Sequence, residues 1–178
     1  SDLMVAEIEP DASVATERVD ASAFTTTVLQ CSDVLLAIDR DRELIVNFDG
    51  GAREVLLPLL LAAVLHAPLI DQALQYTDVD QEVRTIQVPH LTAQLPRRAI
   101  ETFGVIADHD GEIALTELAV ESDKSKSTVG RHVEALTAAG ILTTRMETNA
   151  KYVSFSETGR LIARARRTPA DAGAGQPP

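Results

Sequence analysis

The stretch Ser125-Lys126-Ser127-Thr128-Val129-Gly130-Arg131-His132-Val133-Glu134-Ala135-Leu136 decides how this chain is read. Ser125 can cap a helix, and Val129, Val133 and Leu136 recur at i, i+4 and i+7, which predicts a helix with one narrow apolar face. With that face turned inward, Lys126, Ser127, Gly130, Arg131 and Glu134 face outward. Gly140 closes the helix in the left-handed manner, and the apolar pair Ile141-Leu142 follows at once. A helix that enters a DNA major groove needs this division: an apolar face that holds it to its domain, and an opposite face of small, basic and hydrogen-bonding residues.

The neighbouring segments complete a unit. Upstream, Ile100, Phe103 and Ile106 or Ala107 keep the helical period from Ala99 until the polar turn Asp108-His109-Asp110-Gly111. Leu115, Leu118 and Ala119 then predict a second short helix with Thr116 as its N-cap, interrupted at Glu121-Ser122-Asp123. Downstream, residues 142–145 and 152–155 are β-compatible runs joined by residues 146–151, a hairpin. Ser156 caps a final helix that turns basic at Arg164, Arg166 and Arg167. The Ala, Gly, Pro and Gln tail from Pro169 predicts disorder.

In this setting Arg131 is the first candidate for base contact, because a guanidinium addresses guanine O6 and N7 together. Lys124, Ser125, Lys126, Ser127 and Thr128 are candidates for positioning contacts to phosphate, favoured by the helix N-terminus. Gly130 permits close approach to DNA, and Arg145, Asn149 and Lys151 on the hairpin are placed to reach the minor groove or flanking phosphates. One such helix covers few base pairs, so the expected state is a homodimer on double-stranded DNA. Its contact would come from the apolar helix at residues 55–65 or from the first and last helices of the DNA-binding unit.

The run Ala114-Leu115-Thr116-Glu117-Leu118-Ala119, with Lys124 to Leu136 and Ala139-Gly140-Ile141-Leu142, resembles the winged-helix core of MarR-like and related prokaryotic regulators. That resemblance implies a dimeric DNA-binding regulator of transcription.

Residues 1–95 alternate differently. Segments near residues 14–19, 44–48, 73–76 and 83–88 are β-prone, with helices expected over roughly 21–38 and 51–66. Strand-helix-strand order predicts a parallel sheet, and the last two strands, only six residues apart, predict an antiparallel hairpin at its edge. Leu44-Ile45-Val46-Asn47-Phe48-Asp49-Gly50-Gly51-Ala52-Arg53 reads as a buried strand running into a Gly-Gly turn that opens a helix. Backbone N–H groups, a helix start and Arg53 converge there, at the end of a strand where open sheets bind ligands, and a phosphate-rich ligand would suit.

A strand-Gly-Gly-x-Arg-helix element, then a hairpin, then a winged helix resembles the CARF-domain transcription regulators of CRISPR-Cas systems, an archaeal class, over about residues 5–165. The resemblance implies an α/β fold plus winged helix: a Rossmann-like sensor domain at 1–90, incomplete at its amino end, a linker at 91–96, a winged helix-turn-helix at 97–167 and a disordered tail at 168–178. It also implies that Gly50, Gly51 and Arg53, with Asn47 and Asp49 nearby, bind cyclic tetra-adenylate or a related cyclic oligoadenylate across a dimer axis. A regulator answering another small molecule, and a CARF ring nuclease, are the alternatives.

The net charge of −11 is unevenly spread: residues 1–95 carry 16 Asp/Glu and 5 Lys/Arg, and residues 96–178 carry 11 of each. The acidic balance with 13 Arg against 3 Lys also fits a halophilic cytoplasm, although GC-rich codon usage gives the same arginine excess. The longest apolar run, residues 55–65, is interrupted by Pro58 and falls far short of the roughly 20 residues of a membrane span. The start lacks the pattern of a secretory signal and the single Cys31 has no disulfide partner, so a cytoplasmic protein is expected. His66, His90, His109 and His132 lack metal-ligand spacing, Cys31 reads as buried and inert, and Asp108 and Asp110 read as turn residues. With no nucleophile-base set in view, neither catalysis nor a cofactor is expected.

Overall fold

The computed structural model describes residues 14–79, 81–109 and 111–166. In the first half, helix α1 (Phe24–Ala37) leads to strand β1 (Ile45–Asn47), helix α2 (Arg53–Leu65), strand β2 (Gln72–Thr77) and strand β3 (Glu82–Ile86). β1 lies parallel to β2, with Val46 opposite Ala73, and β2 pairs antiparallel with β3, with Ala73 opposite Ile86. The expected β-α-β unit and edge hairpin are therefore present, in the order β1-β2-β3. Residues 14–19, read as a strand, are irregular chain leading into α1.

Both helices contribute to one core with this sheet, made of Val28, Cys31 and Leu35 of α1, Val46 and Phe48, Ala62 and Ala63 of α2, and Ala73. Burial raises the Cys31 thiol pKa, as expected of an inert cysteine. α2 is apolar almost all round, so one face remains unpartnered, and Leu57, Leu60, Leu61 and Leu65 stay exposed there.

The second half follows a separate core. A 3₁₀ turn (Arg97–Ala99) runs into α3 (Ile100–Asp108), followed by β4 (Ile113–Ala114), α4 (Leu115–Glu121), α5 (Lys126–Ala138), β5 (Leu142–Glu147), β6 (Ala150–Phe155) and α6 (Glu157–Arg166). Phe103, Ile106, Ile113, Leu118, Val129, Val133, Leu136, Ile141 and Val153 pack together. Most periodic positions of the sequence are thus buried, with Ile100 at the start of α3 left exposed. The segment expected as a linker, residues 91–96, belongs to this unit, because Ala93 and Leu95 pack against its core and the His90 N–H donates to Thr158 Oγ1. Arg167 and the tail expected to be disordered, residues 168–178, lie outside the described residues.

Two boundaries differ from expectation for local reasons. α4 is preceded by Ala114, which has no side-chain cap, rather than capped by Thr116. Ile113 and Ala114 are paired to β6 opposite Val153 and Tyr152, so this ladder sets where α4 begins. The hairpin strands also reach further than predicted, to Glu147 opposite Ala150, leaving only Thr148 and Asn149 in the turn.

Candidate nucleic-acid interface

The position of α5 is set by two helix stops and one cap. α4 ends at Ser122 with Asp123 in the left-handed region at φ 49°, where the Asp123 N–H donates to Val120 O and the Lys124 N–H to Ala119 O. That pair of bonds is a Schellman stop, and it makes the tight turn into α5. Ser125 then caps α5, its Oγ accepting from the Thr128 N–H at 3.2 Å and lying 3.0 Å from Ser127 Oγ and 2.8 Å from Thr128 Oγ1. At the far end the Gly140 N–H donates to Thr137 O and the Ile141 N–H to Leu136 O, with Gly140 at φ 71°. Val129, Val133 and Leu136 are fully buried, and Lys126, Ser127, Arg131 and Glu134 are exposed.

The predicted contact residues separate into distinct groups. Lys126 and Arg131 have no ion-pair partner among the described residues, so both charges are available to an incoming anion. Ser125, Ser127 and Thr128 form a hydroxyl cluster over the first turn of α5, with Ser125 committed to capping. A Cβ at Gly130 would meet nothing within 4 Å. No packing partner among the described residues therefore accounts for glycine at that position, and the surface beside Arg131 is left low.

Lys124 and Arg145 are ion-paired within the domain. Lys124 Nζ binds Glu101 Oε2 at 2.7 Å, tying the turn before α5 to α3 and holding the Glu101 carboxyl below its usual range. Arg145, expected to reach the groove or a phosphate, is half exposed and makes ion pairs within the domain. Its guanidinium lies 2.8 Å from Glu112 and 2.8 Å from Glu147, with its carbon 5.2 Å from the Tyr152 ring centroid. Two carboxylates raise the Arg145 pKa, and Arg145 lowers that of Glu112. A charge compensated twice in this way is a brace for the wing. At the wing tip, Thr148 and Asn149 both have positive φ and the Asn149 N–H donates to Glu147 O, while Lys151 lies opposite Met146 on β6.

Arg97 and Arg98 carry no signal in the sequence. They stand in the 3₁₀ turn before α3, both exposed, and line one concavity with Thr128, Arg131 and His132 of α5. The arginine pair sits outside the helical segments, and no spacing along the chain connects it to Arg131.

In the first half, the loop after β1 brings the predicted ligand residues together. Gly50 and Gly51 have φ values of 76° and 84°, a conformation that side chains rarely adopt, and Arg53 starts α2 exposed. Asn47 Oδ1 accepts from the Asp49 N–H at 3.0 Å, and Asp49 Oδ1 accepts from the Tyr76 N–H of β2. Asn47 and Asp49 therefore shape the loop and fasten it to the sheet. Among the described residues no group of His, Cys, Asp and Glu side chains could hold a metal ion, and no helix is long and apolar enough to cross a membrane.

No curated protein matches the chain. Two solved structures, HlyU from Vibrio cholerae N16961 and the same protein in reduced form, are similar to it at 21% identity and a TM-score of 0.36, over 42% of this chain and 80% and 78% of theirs. Residues 96–145 match the model of the IclR helix-turn-helix domain, which spans the 3₁₀ turn, α3, α4, α5 and the start of the wing. The carboxyl-terminal half thus carries a winged helix-turn-helix DNA-binding domain of the transcription-regulator type, similar over residues 96–145 to the IclR helix-turn-helix domain.

Proposed function

We propose that this protein is a cytoplasmic, homodimeric transcription regulator that binds double-stranded DNA sequence-specifically through α5, with no catalytic step and no cofactor. The observation that carries the reading is α5 itself: capped at Ser125, stopped at Gly140, buried along Val129, Val133 and Leu136, and bearing uncompensated Lys126 and Arg131 outward. Lys126, Ser127 and Thr128 would set register on phosphate while Arg131 reads a guanine edge. The exposed leucines of α2 support a dimer, since a second copy would remove them from water.

The finer reading is a regulator of CRISPR-Cas genes whose first half is a Rossmann-like CARF sensor for cyclic tetra-adenylate. It is supported by the parallel β1-α2-β2 unit and by Gly50, Gly51 and Arg53 at the end of β1, where anions are favoured. Another small anion at the same loop is the competing reading. It is favoured by the engagement of Asn47 and Asp49 within the loop, which leaves Arg53 as the main recognition group.

The test is selection of duplexes from a random library by the full chain, followed by fluorescence anisotropy on the selected sequence with and without cyclic tetra-adenylate. Arg131→Ala should relax preference at one base pair at a cost of about 1–3 kcal/mol. Arg53→Ala should remove any response to the nucleotide and leave DNA affinity alone. Enrichment of no sequence would sink the regulator. A selected duplex whose binding ignores the nucleotide would leave the regulator and remove the CARF reading.

A further inference from the structure

Several basic side chains of the winged domain are paired within the chain: Arg145 with Glu112 and Glu147, Lys124 with Glu101, and Arg160 with Glu157. Arg97 and Arg98 are different. Neither has an ion-pair partner among the described residues, and both line a concavity whose opposite wall is formed by Thr128, Arg131, His132 and Ala135. These four recur at i, i+3, i+4 and i+7, so they are one flank of α5, beside the buried stripe of Val129, Val133 and Leu136. Three guanidiniums therefore surround one hollow.

The carboxylates nearest in sequence make no ion pair with them among the described residues, although the Glu101 charge is felt at His132. Glu101, one turn beyond Arg97, is held by Lys124 at 2.7 Å, and Glu134, one turn beyond Arg131, makes no ion pair among the described residues. Like charges gathered without counter-charge repel one another, and an anion from outside removes that cost. The wall is also fixed in place. Thr102, fully buried on α3, has its Oγ1 2.8 Å from His132 Nδ1, which sets the imidazole against the hollow and joins α3 to α5 beneath it. Ala99 is buried and Ala135 is small, so the floor leaves room for a group with the bulk of a phosphate.

We propose that Arg97 and Arg98, with Arg131, form a phosphate clasp that grips the DNA backbone beside the bases read by α5. The proposal rests on the DNA-binding reading above and adds a second anchoring point from outside the α4-turn-α5 unit. Arg131 would be shared, reaching a base edge from the outward face while closing the clasp on the flank. Arg97 and Arg98 would contribute affinity and register without base preference.

The experiment is anisotropy of the full chain on its selected duplex and on a random duplex, from about 50 to 300 mM salt, a range over which phosphate contacts dominate the change in affinity. It compares wild type, the double variant Arg97→Ala/Arg98→Ala, the double variant Arg97→Lys/Arg98→Lys, and Arg131→Ala, with thermal unfolding as the check on folding. Both arginines are exposed, so the melting temperature should hold in each double variant. The alanine pair should weaken both duplexes by the same factor and reduce the slope of log K against log salt by about 1.8, that is about 0.9 for each phosphate no longer neutralised. The lysine pair should keep most of the slope. Unchanged affinity and slope in the alanine pair, while the wild type still prefers its selected duplex, would overturn the clasp alone. A change of base preference without a change of slope would overturn it as well. Failure of the wild type to bind any duplex would overturn both this inference and the regulator on which it rests.

Discussion

Gly130 sits in the middle of a thirteen-residue helix, where glycine costs about 1 kcal/mol relative to alanine. Among the described residues beyond its own helix turn, nothing lies within 4 Å of a Cβ there. Gly159 is the opposite case: a Cβ would lie 2.0 Å from Ile141 O and 2.7 Å from Phe155 Cδ1, so glycine is required for α6 to approach the end of β6. The two positions look alike in the sequence and differ entirely in space. Because Gly130 is not required by packing, Gly130→Ala should stabilise the protein by roughly 0.5–1 kcal/mol in chemical denaturation. If the open surface serves close approach to DNA, the same variant should lose affinity for its selected duplex. A variant that is more stable and binds as well as the wild type would show that this glycine has no part in recognition.

Elements are held to one another by a few polar links, and one of them joins a histidine to a carboxylate. His109 Nε2, just past the end of α3, lies 2.6 Å from Glu121 Oε2 at the end of α4. The hydrogen bond to Glu121 raises the His109 pKa above its usual 6.5, with further help from the charges of Glu117 and Asp108. A raised folded-state pKa means that the pair stabilises fully below pH 6.5 and that this contribution is lost as pH rises through the folded value. The melting temperature of His109→Gln should therefore fall short of the wild type at a pH of about 5.5 and converge on it by about 8.5; a constant gap across that range would assign the loss to packing. Such links are not legible in a sequence. The helices α1, α2, α3 and α5 are, because each carries a sustained apolar pattern, and the caps at Ser125, Gly140 and Ser156 are short-range chemistry. β4 escapes sequence reading because two residues, Ile113 and Ala114, show no period, and the wing is under-drawn because Met146 and Glu147 alternate without an apolar signal. At the interface, Lys126 and Arg131 can be found from the outward face of α5. The pairing of Lys124 with Glu101 and of Arg145 with Glu112, and the gathering of Arg97 and Arg98 beside Arg131, join positions 23 to 34 residues apart and exist only in the fold.

At the scale of the whole molecule, the charge is divided between two separately built cores. The acidic half, with 16 Asp/Glu against 5 Lys/Arg in residues 1–95, repels a polyanion, and the second half, with 11 of each, presents Arg97, Arg98, Lys126 and Arg131 without ion-pair partners among the described residues. Among the described residues the core of the winged domain draws on residues 93–163, so a chain of residues 89–166 should fold cooperatively by itself. Freed of the acidic half, that piece should bind a short random-sequence duplex more tightly than the full chain at about 50 mM salt. The advantage should shrink toward about 300 mM, because the screening length falls below the roughly 10 Å it has at 0.1 M and long-range repulsion fades sooner than close phosphate attraction. Binding of the selected, two-fold symmetric duplex should move the other way if the first half supplies the dimer contact, since a monomer grips one half-site where a dimer grips two. Anisotropy titrations of both chains on both duplexes separate these effects. Equal affinities for the random duplex at every salt concentration would mean that the acidic surface exerts no field on bound DNA. Its charge would then have to be explained by the solvent or partners of the first half rather than by selectivity against non-specific sites.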